Sequence, residues 1–393
     1  MTVTAITATR AEYGLLRPVL HRLAALGALR LVVTGAHLTP RLGHTVDEIE
    51  ADAIVAPCID ARLPIFTDDP GEPVARTIAR TIEVFDTYFA TRRPDVVLLL
   101  GDRFEIFAVA TAAAARHIPI AHISGGDVTL GAADEYYRHC ITKMAALHFP
   151  SCADSAARLV RMGEDPTRVF CVGGLGDENI RTLPKMTRQE LCESTGFDLS
   201  RPFAVVTYHP ETSADAGDPA AQAAALCKAM EAVDGVFWLM TGSNADAGGA
   251  VCTAALQAFA AAHPQRAGFV QSLGLKRYLS ALQYAALVAG NSSSGVVETP
   301  SFGVPTINIG NRQAGREICA NVLCCTANAE AIEAVMRRAL TPEFAATARA
   351  ARSPYYGGDT SAKIVRALQT ADLTATKSFY DGPVPTFDPA ADV

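Results

Sequence analysis

Four short segments of this chain combine groups suited to phosphate binding or proton transfer. Thr7-Ala8-Thr9-Arg10-Ala11-Glu12-Tyr13-Gly14 reads as a polar turn entering a helix, where free backbone N–H groups and a forked cation suit a phosphate. Arg10 would serve equally as half of a structural ion pair. Gly101-Asp102-Arg103 directly follows an apolar run, so Asp102 is either a general acid or base at the mouth of a sheet or a cap on the helix starting near Phe104. His122-Ile123-Ser124-Gly125-Gly126-Asp127 continues through Asp134-Glu135 to Arg138-His139. Its paired glycines allow close backbone approach, and Asp127, Asp134 and Glu135 supply carboxylates. His122 and His139 read either as catalysts or as hydrogen-bonded structural histidines. Gly290-Asn291-Ser292-Ser293-Ser294-Gly295, just ahead of Glu298, is the most specific of the four. N–H groups, hydroxyls and a helix dipole together favour an anion there, whereas capping a helix needs only one serine. His209 in Tyr208-His209-Pro210-Glu211, and Gly242-Ser243-Asn244, occupy similar positions in the second half.

These segments need a scaffold that brings strand ends together. Short apolar runs alternate with longer helical stretches, the pattern of an α/β chain whose parallel sheet is covered by helices on both faces. In the first half, strands are expected at 3–7, 30–34, 95–100, 118–123 and 169–172, with helices at 15–26, 73–90, 106–116, 136–146 and 153–162. After a polar connector at 181–201, strands recur at 203–207, 236–241, 269–271, 286–289 and 306–309, with helices at 220–233, 251–262 and 276–284. The expected organisation is a Rossmann-like domain over 1–180 and a second over 181–359, with ligand in the cleft between their strand ends. A helix over 360–371 is expected to pack back on the first domain, and residues 376–393 to form a loosely held tail.

Composition narrows the function classes. The 393 residues carry 34 Lys+Arg against 41 Asp+Glu, a net charge of −7, which argues against a broad basic grip on nucleic acid. Apolar residues make up 49% of the chain, enough to fill two cores. No apolar run approaches the ~18 residues of a membrane span, and residues 1–9 lack the basic start and long apolar centre of a signal peptide, so none is expected. The ten cysteines include no Cys-x-x-Cys pair and read as reduced thiols of a cytoplasmic protein, so no metal is expected.

The four segments, together with Ile141-Thr142-Lys143, His209-Pro210-Glu211-Thr212 and Asn308-Ile309-Gly310-Asn311-Arg312-Gln313, occur in an order and spacing that carries a family resemblance. The chain resembles the hydrolysing UDP-N-acetylglucosamine 2-epimerases, including the bacterial enzymes of sialic and legionaminic acid precursor synthesis. That resemblance implies a GT-B fold of two Rossmann-like, doubly wound domains, with the nucleotide held mainly by the C-terminal one. Carried over by position, Arg10, Ser293, Ser294 and Gly295 would hold the diphosphate and Glu298 the ribose hydroxyls. His209 and Arg312 match further nucleotide positions, Asn244 matches more weakly, and Arg103, His122 and His139 complete the substrate set.

The implied reaction is loss of UDP from C1 of a 2-acetamido sugar with removal of the C2 proton, giving a glycal. Water then adds, and C2 is reprotonated on the other face. No cofactor is implied. Asp102 and Asp134 match the family's catalytic carboxylates. Many members read His-Ile-Glu-Gly-Gly-Glu where this chain has Ser124 and Asp127, so Asp127 is expected to replace the missing carboxylate. The expected partners are a UDP-sugar, either UDP-N-acetylglucosamine or its 4-acetamido-6-deoxy relative, and further copies of the chain in a dimer or tetramer. A GT-B glycosyltransferase would share the nucleotide site and differ by needing an acceptor.

Overall fold

Strands that are apolar on both faces must be covered on both, which parallel pairing with crossover helices achieves. The computed structural model describes residues 1–40, 44–69, 71–129, 134–211, 217–243 and 248–392. Its first sheet contains β1 (Val3–Thr7), β2 (Leu29–Thr34), β3 (Ile59–Leu63), β4 (Val96–Leu100), β5 (Ile120–Ile123) and β6 (Leu147–Phe149), in the order β3-β2-β1-β4-β5-β6. The second contains β7 (Phe203–Thr207), β8 (Phe237–Thr241), β9 (Ala267–Val270), β10 (Leu287–Gly290), β11 (Thr306–Ile309) and β12 (Val322–Cys325), in the order β12-β11-β10-β7-β8-β9. All pairings are parallel. Each sheet therefore has the doubly wound 3-2-1-4-5-6 order, with its topological switch point between β1 and β4 or between β7 and β10. The chain has the two Rossmann-like units that make up a GT-B fold.

Of the described residues, the first unit comprises 1–127, 134–179 and 355–392, and the second 128–129 and those within 180–354. In β4, Val96, Leu98 and Leu100 join the core on one face while Val97 and Leu99 join the core on the other. In β8, Trp238 and Met240 divide from Phe237 and Leu239 in the same way. This two-residue alternation fixes the register, because a slip of one residue would exchange the two faces. At the second switch point the strands abut so closely that a Cβ on Gly290, whose φ is +142°, would lie 1.8 Å from the Thr207 carbonyl oxygen. Only glycine fits there.

The helix Arg10–Ala25 starts on a capping box, in which Thr9 Oγ1 accepts from the Glu12 N–H and the Glu12 carboxylate accepts from the Thr9 N–H. Pro18 lies inside this helix and has no N–H for the carbonyl of Gly14. Asn179 fills that gap, its Nδ2 donating to Gly14 O at 2.8 Å. The helix Thr360–Thr370 packs on Arg10–Ala25. The Glu178 carboxylate accepts from both the N–H and the hydroxyl of Ser361 at 2.6 Å.

The C-terminal segment, which composition suggests is loosely held, is fastened at several points. Arg168 donates to Asp372 O at 2.8 Å, the Tyr380 N–H to Gly163 O at 3.0 Å, and Lys363 to the carbonyls of Pro389 and Ala391 at 2.8 and 2.6 Å. Residues 169–172, expected as a strand, contribute only an isolated bridge between Val169 and His148. No helix among the described residues is long and apolar enough to cross a membrane, and all ten cysteines are free thiols.

Candidate active site

Parallel strands deliver all their C-terminal ends to one side of the sheet, so the turns after β1, β4 and β5 share an edge in the first unit. Gly101, at φ +84°, turns the chain out of β4 and presents Asp102. On the helix Asp134–Met144, the positions 134, 135, 138 and 139 fall on neighbouring rows of one face. Arg138 is 1% exposed and organises the site. One end of its guanidinium bonds the Asp102 carboxylate, while Nη1 donates to Glu135 at 2.9 Å and to the Asp127 carbonyl at 2.7 Å. Glu135 in turn meets Nε2 of His139 at 3.1 Å. Burial, reinforced by the charge of Asp102, pushes the Asp134 carboxyl above the ordinary aspartate range, against the pull of Arg103 and Arg138. An ion-paired carboxylate and a neighbour that holds its proton more tightly form the kind of pair that acid/base chemistry uses.

The remaining predicted groups of this unit divide between the site and its support. His122 is fully buried, and burial lowers its pKa to about 4. Its neutral ring donates through Nε2 to Gly101 O at 2.7 Å, which steadies the turn ahead of Asp102. Arg103 forks onto the fully buried Glu105, with its nearest contact at 2.8 Å. Asp127 differs from the expectation of a catalytic group: its Oδ1 accepts from the hydroxyls of Ser155 at 2.7 Å and Ser151 at 3.0 Å, around the start of the helix Ala153–Arg161. Arg158 of that helix also holds Gly126 O. Ser124 sits in the left-handed region at φ +63°. Arg10 takes the ion-pair arrangement, its Nε lying 2.9 Å from Glu48 with the side chain 57% exposed. A surface pair of that kind is worth at most about 1 kcal/mol, so the guanidinium is easily released to a phosphate.

Glu12 carried no role in the sequence reading. Its Oε2 accepts from the N–H groups of Ala8 at 2.7 Å and Thr9 at 3.2 Å, and burial, with the charge of Glu105, raises it to about 7. The Thr9-x-x-Glu12 capping spacing was the available signal.

In the second unit, fully buried Asn291 locks the switch point. Its Nδ2 donates to His209 O and its Oδ1 accepts from the His209 N–H, both at 2.8 Å. The Asn291 carbonyl accepts from Gln313 at 2.9 Å and Arg312 at 3.3 Å. His209 Nδ1 lies 3.1 Å from Ser243 Oγ. Glu211 Oε1 accepts from the Asn311 N–H at 2.9 Å and stands where a Cβ on Gly310 would go.

After β10 the chain makes two short helical turns, Ser294–Val297 and Thr299–Phe302. Ser294 Oγ donates to Glu298 Oε2 at 2.5 Å and meets the Tyr278 hydroxyl at 2.5 Å. That hydroxyl is therefore committed to orienting Glu298. The Ser293 and Ser294 N–H groups have no acceptor among the described residues, and they are the groups free to meet an anion. Burial raises the pKa of Glu298. A cavity at the end of β10 is lined by Thr207, Tyr278, Gly290, Ser292, Gly295 and Asn308, among others. Asn244 and Thr212 lie outside the described residues. Among the described residues, no three His, Cys, Asp or Glu side chains stand where they could hold a metal ion.

A family model described as UDP-N-acetylglucosamine 2-epimerase matches residues 23–369. The chain belongs to this family. Over 81% of its length it is 34% identical to the Campylobacter jejuni protein named GDP/UDP-N,N'-diacetylbacillosamine 2-epimerase (hydrolyzing), covering 82% of that protein. Over 96% of its length it is 33% identical to polysialic acid biosynthesis protein P7 of Escherichia coli, covering 95%. The fold matches the crystal structure of the Neisseria meningitidis UDP-GlcNAc 2-epimerase bound to UDP-GlcNAc, with a TM-score of 0.78 at 16% identity, over 94% of this chain and all of that one.

Proposed function

We propose that this member of the UDP-N-acetylglucosamine 2-epimerase family is a hydrolysing 2-epimerase. It converts a UDP-2-acetamido sugar and water to UDP and the free N-acetylmannosamine-type sugar. The observation that carries this reading is the Asp102–Arg138–Glu135 cluster with Asp134 beside it. Asp102 takes the C2 proton as the C1–O bond to UDP breaks, leaving a C1=C2 glycal. Asp134 then gives its proton to C2 on the opposite face while a water oxygen bonds C1; the proton that water sheds returns to the Asp134 carboxylate, and Asp102 releases the C2 proton to solvent. Two carboxyl groups in unlike environments suit the two directions of proton transfer.

Departure of UDP needs its diphosphate stabilised. The Ser293 and Ser294 N–H groups, Gly295 and Arg10 take that role, with Arg312 and His209 as further nucleotide contacts and Glu298 on the ribose. His122 and His139 act by positioning Asp102 and Glu135, and Asp127 by holding its loop against the helix that follows.

A second reading concerns only the sugar: the Campylobacter relative is named for diacetylbacillosamine, which favours the 4-acetamido-6-deoxy substrate over UDP-N-acetylglucosamine. Both readings are tested by incubating the protein with each UDP-sugar, without any acceptor, and measuring UDP by ion-exchange chromatography. UDP released from one of the two sugars identifies the substrate. Release only when an acceptor is supplied would replace the epimerase with a glycosyltransferase.

A further inference from the structure

The helix Asp134–Met144 has its site groups in the first half, while its other end is held by residues far away in sequence. Lys377 donates to the carbonyls of Ala145 at 2.6 Å and Thr142 at 3.1 Å where the helix ends, the Thr142 carbonyl also accepting from the Ala145 N–H at 3.1 Å. A cation there also opposes the negative end of the helix dipole. The same ammonium bonds Glu164, which is 2% exposed and also accepts from Lys143 at 2.6 Å and from His148 at 2.8 Å. His148 pairs in register with His122, the residue that steadies the turn before Asp102. Glu164 therefore joins the end of the helix, the edge strand β6 and the C-terminal segment at one buried point. Next along the chain, the Phe379 ring lies against Gly163 and 4.9 Å from the Lys143 ammonium. The Tyr380 N–H bonds Gly163 O at 3.0 Å.

Eleven residues of helix span about 15 Å at 1.5 Å per residue, so Lys377 is too distant to touch atoms that react at Asp134. It can act only through the helix. A rigid helix fastened at its far end carries any tilt of that end to Asp134, Arg138 and His139, and a misplacement near 1 Å can cost about a hundredfold in rate.

We propose that Lys377 is a positioning residue: through Glu164 and the end of the helix Asp134–Met144, the C-terminal segment braces the acid/base groups of the first unit. This rests on the proposed epimerase reading for its kinetic consequence and on geometry alone for its structural one. The test compares full-length Lys377→Met, Lys377→Gln and Lys377→Arg proteins with wild type. Amide hydrogen exchange is read without ligand, UDP affinity by calorimetry, and turnover with the UDP-sugar that wild type hydrolyses.

In Lys377→Met, exchange over residues 138–145 should quicken by about tenfold or more while the second unit is unchanged. Its kcat should fall between about tenfold and a hundredfold, with KM and UDP affinity kept within about twofold. Lys377→Arg should restore kcat to within about threefold of wild type, because a cation returns to the same carbonyls. If Lys377→Met does not fold, Lys377→Gln is held to the same expectation. Wild-type exchange and kcat in whichever of the two folds would overturn the brace, as would a fall in kcat that Lys377→Arg leaves unrepaired. Should wild type hydrolyse no UDP-sugar, the epimerase reading fails, and the exchange measurement alone still decides whether Lys377 holds the helix.

Discussion

Replacing Glu298 by glutamine isolates the ribose contact proposed for the second unit. One carboxylate oxygen already accepts from Ser294 at 2.5 Å, and glutamine keeps a neutral acceptor in that place. The fold should therefore lose little, within about 1 kcal/mol, and loss of a charge that burial disfavours offsets part of that. In the proposed role, the two vicinal hydroxyls of a nucleotide ribose donate to the carboxylate. Hydrogen bonds to a charged group contribute about 1.5–3 kcal/mol and neutral ones about 0.5–1.5, so the change costs about 1 kcal/mol per hydroxyl. For both hydroxyls that is about 2 kcal/mol, or roughly a thirtyfold weaker Kd. Calorimetric titration with UDP and with 2′,3′-dideoxy-UDP separates this effect from general damage. Glu298→Gln should bind UDP roughly thirtyfold less tightly than wild type, and the two proteins should bind the dideoxy nucleotide alike. An equal loss for both nucleotides, or none for UDP, would refute the assignment.

Three further outcomes follow from the first unit. Asp102→Asn and Asp134→Asn should each keep UDP affinity within about twofold while turnover falls by about a hundredfold or more, as measured by UDP release. Asp127→Ala leaves the hydroxyls of Ser151 and Ser155 without their acceptor, so denaturant unfolding should show a loss of about 1–3 kcal/mol with proton exchange at the sugar retained. Glu164 should govern acid stability: burial alone would raise its pKa, but His148, Lys143 and Lys377 hold it down to about 2 from an ordinary 4.5. Because the folded-state pKa is the lower one, the stabilisation is complete above about pH 4.5 and is lost as pH falls toward 2, a term on the order of 3 kcal/mol. Unfolding midpoints measured at pH 7, 5 and 3 should drop steeply in wild type and less in Glu164→Gln.

The interior of both sheets was legible because strands such as β4 and β7 are buried on both faces and read as unbroken apolar runs. The edge strands β3, β6 and β12 were not. Ile59-Asp60-Ala61-Arg62-Leu63 keeps charged residues on a half-covered edge, Leu147-His148-Phe149 places a buried histidine inside a three-residue strand, and Val322–Cys325 ends in two cysteines. The first helix begins at Arg10 rather than near 15, because Gly14 and Pro18 disguise it and the compensating donor, Asn179, is 165 residues from Gly14.

The site divides in the same way. Asp102 and the serine turn stand out as residue types at strand ends, and Asp134 as an acid opening the helix that follows β5. Arg138 as the organising cation, Asn291 as the lock on His209 and Glu164 as the buried acceptor depend on partners distant in sequence, which local patterns do not carry. The segment around Lys377 has the composition of a loose end, while its fastenings lie in the turn at Gly163 and the last turn of the helix Asp134–Met144.

Whether this chain hydrolyses a UDP-2-acetamido sugar through proton exchange and inversion at C2 is decided by NMR of the reaction in deuterated water. With the wild-type protein, the susceptible UDP-sugar and no acceptor, the expected products are UDP and a free sugar of inverted C2 configuration carrying deuterium at that carbon. A released sugar that keeps its original configuration and its C2 proton would contradict it.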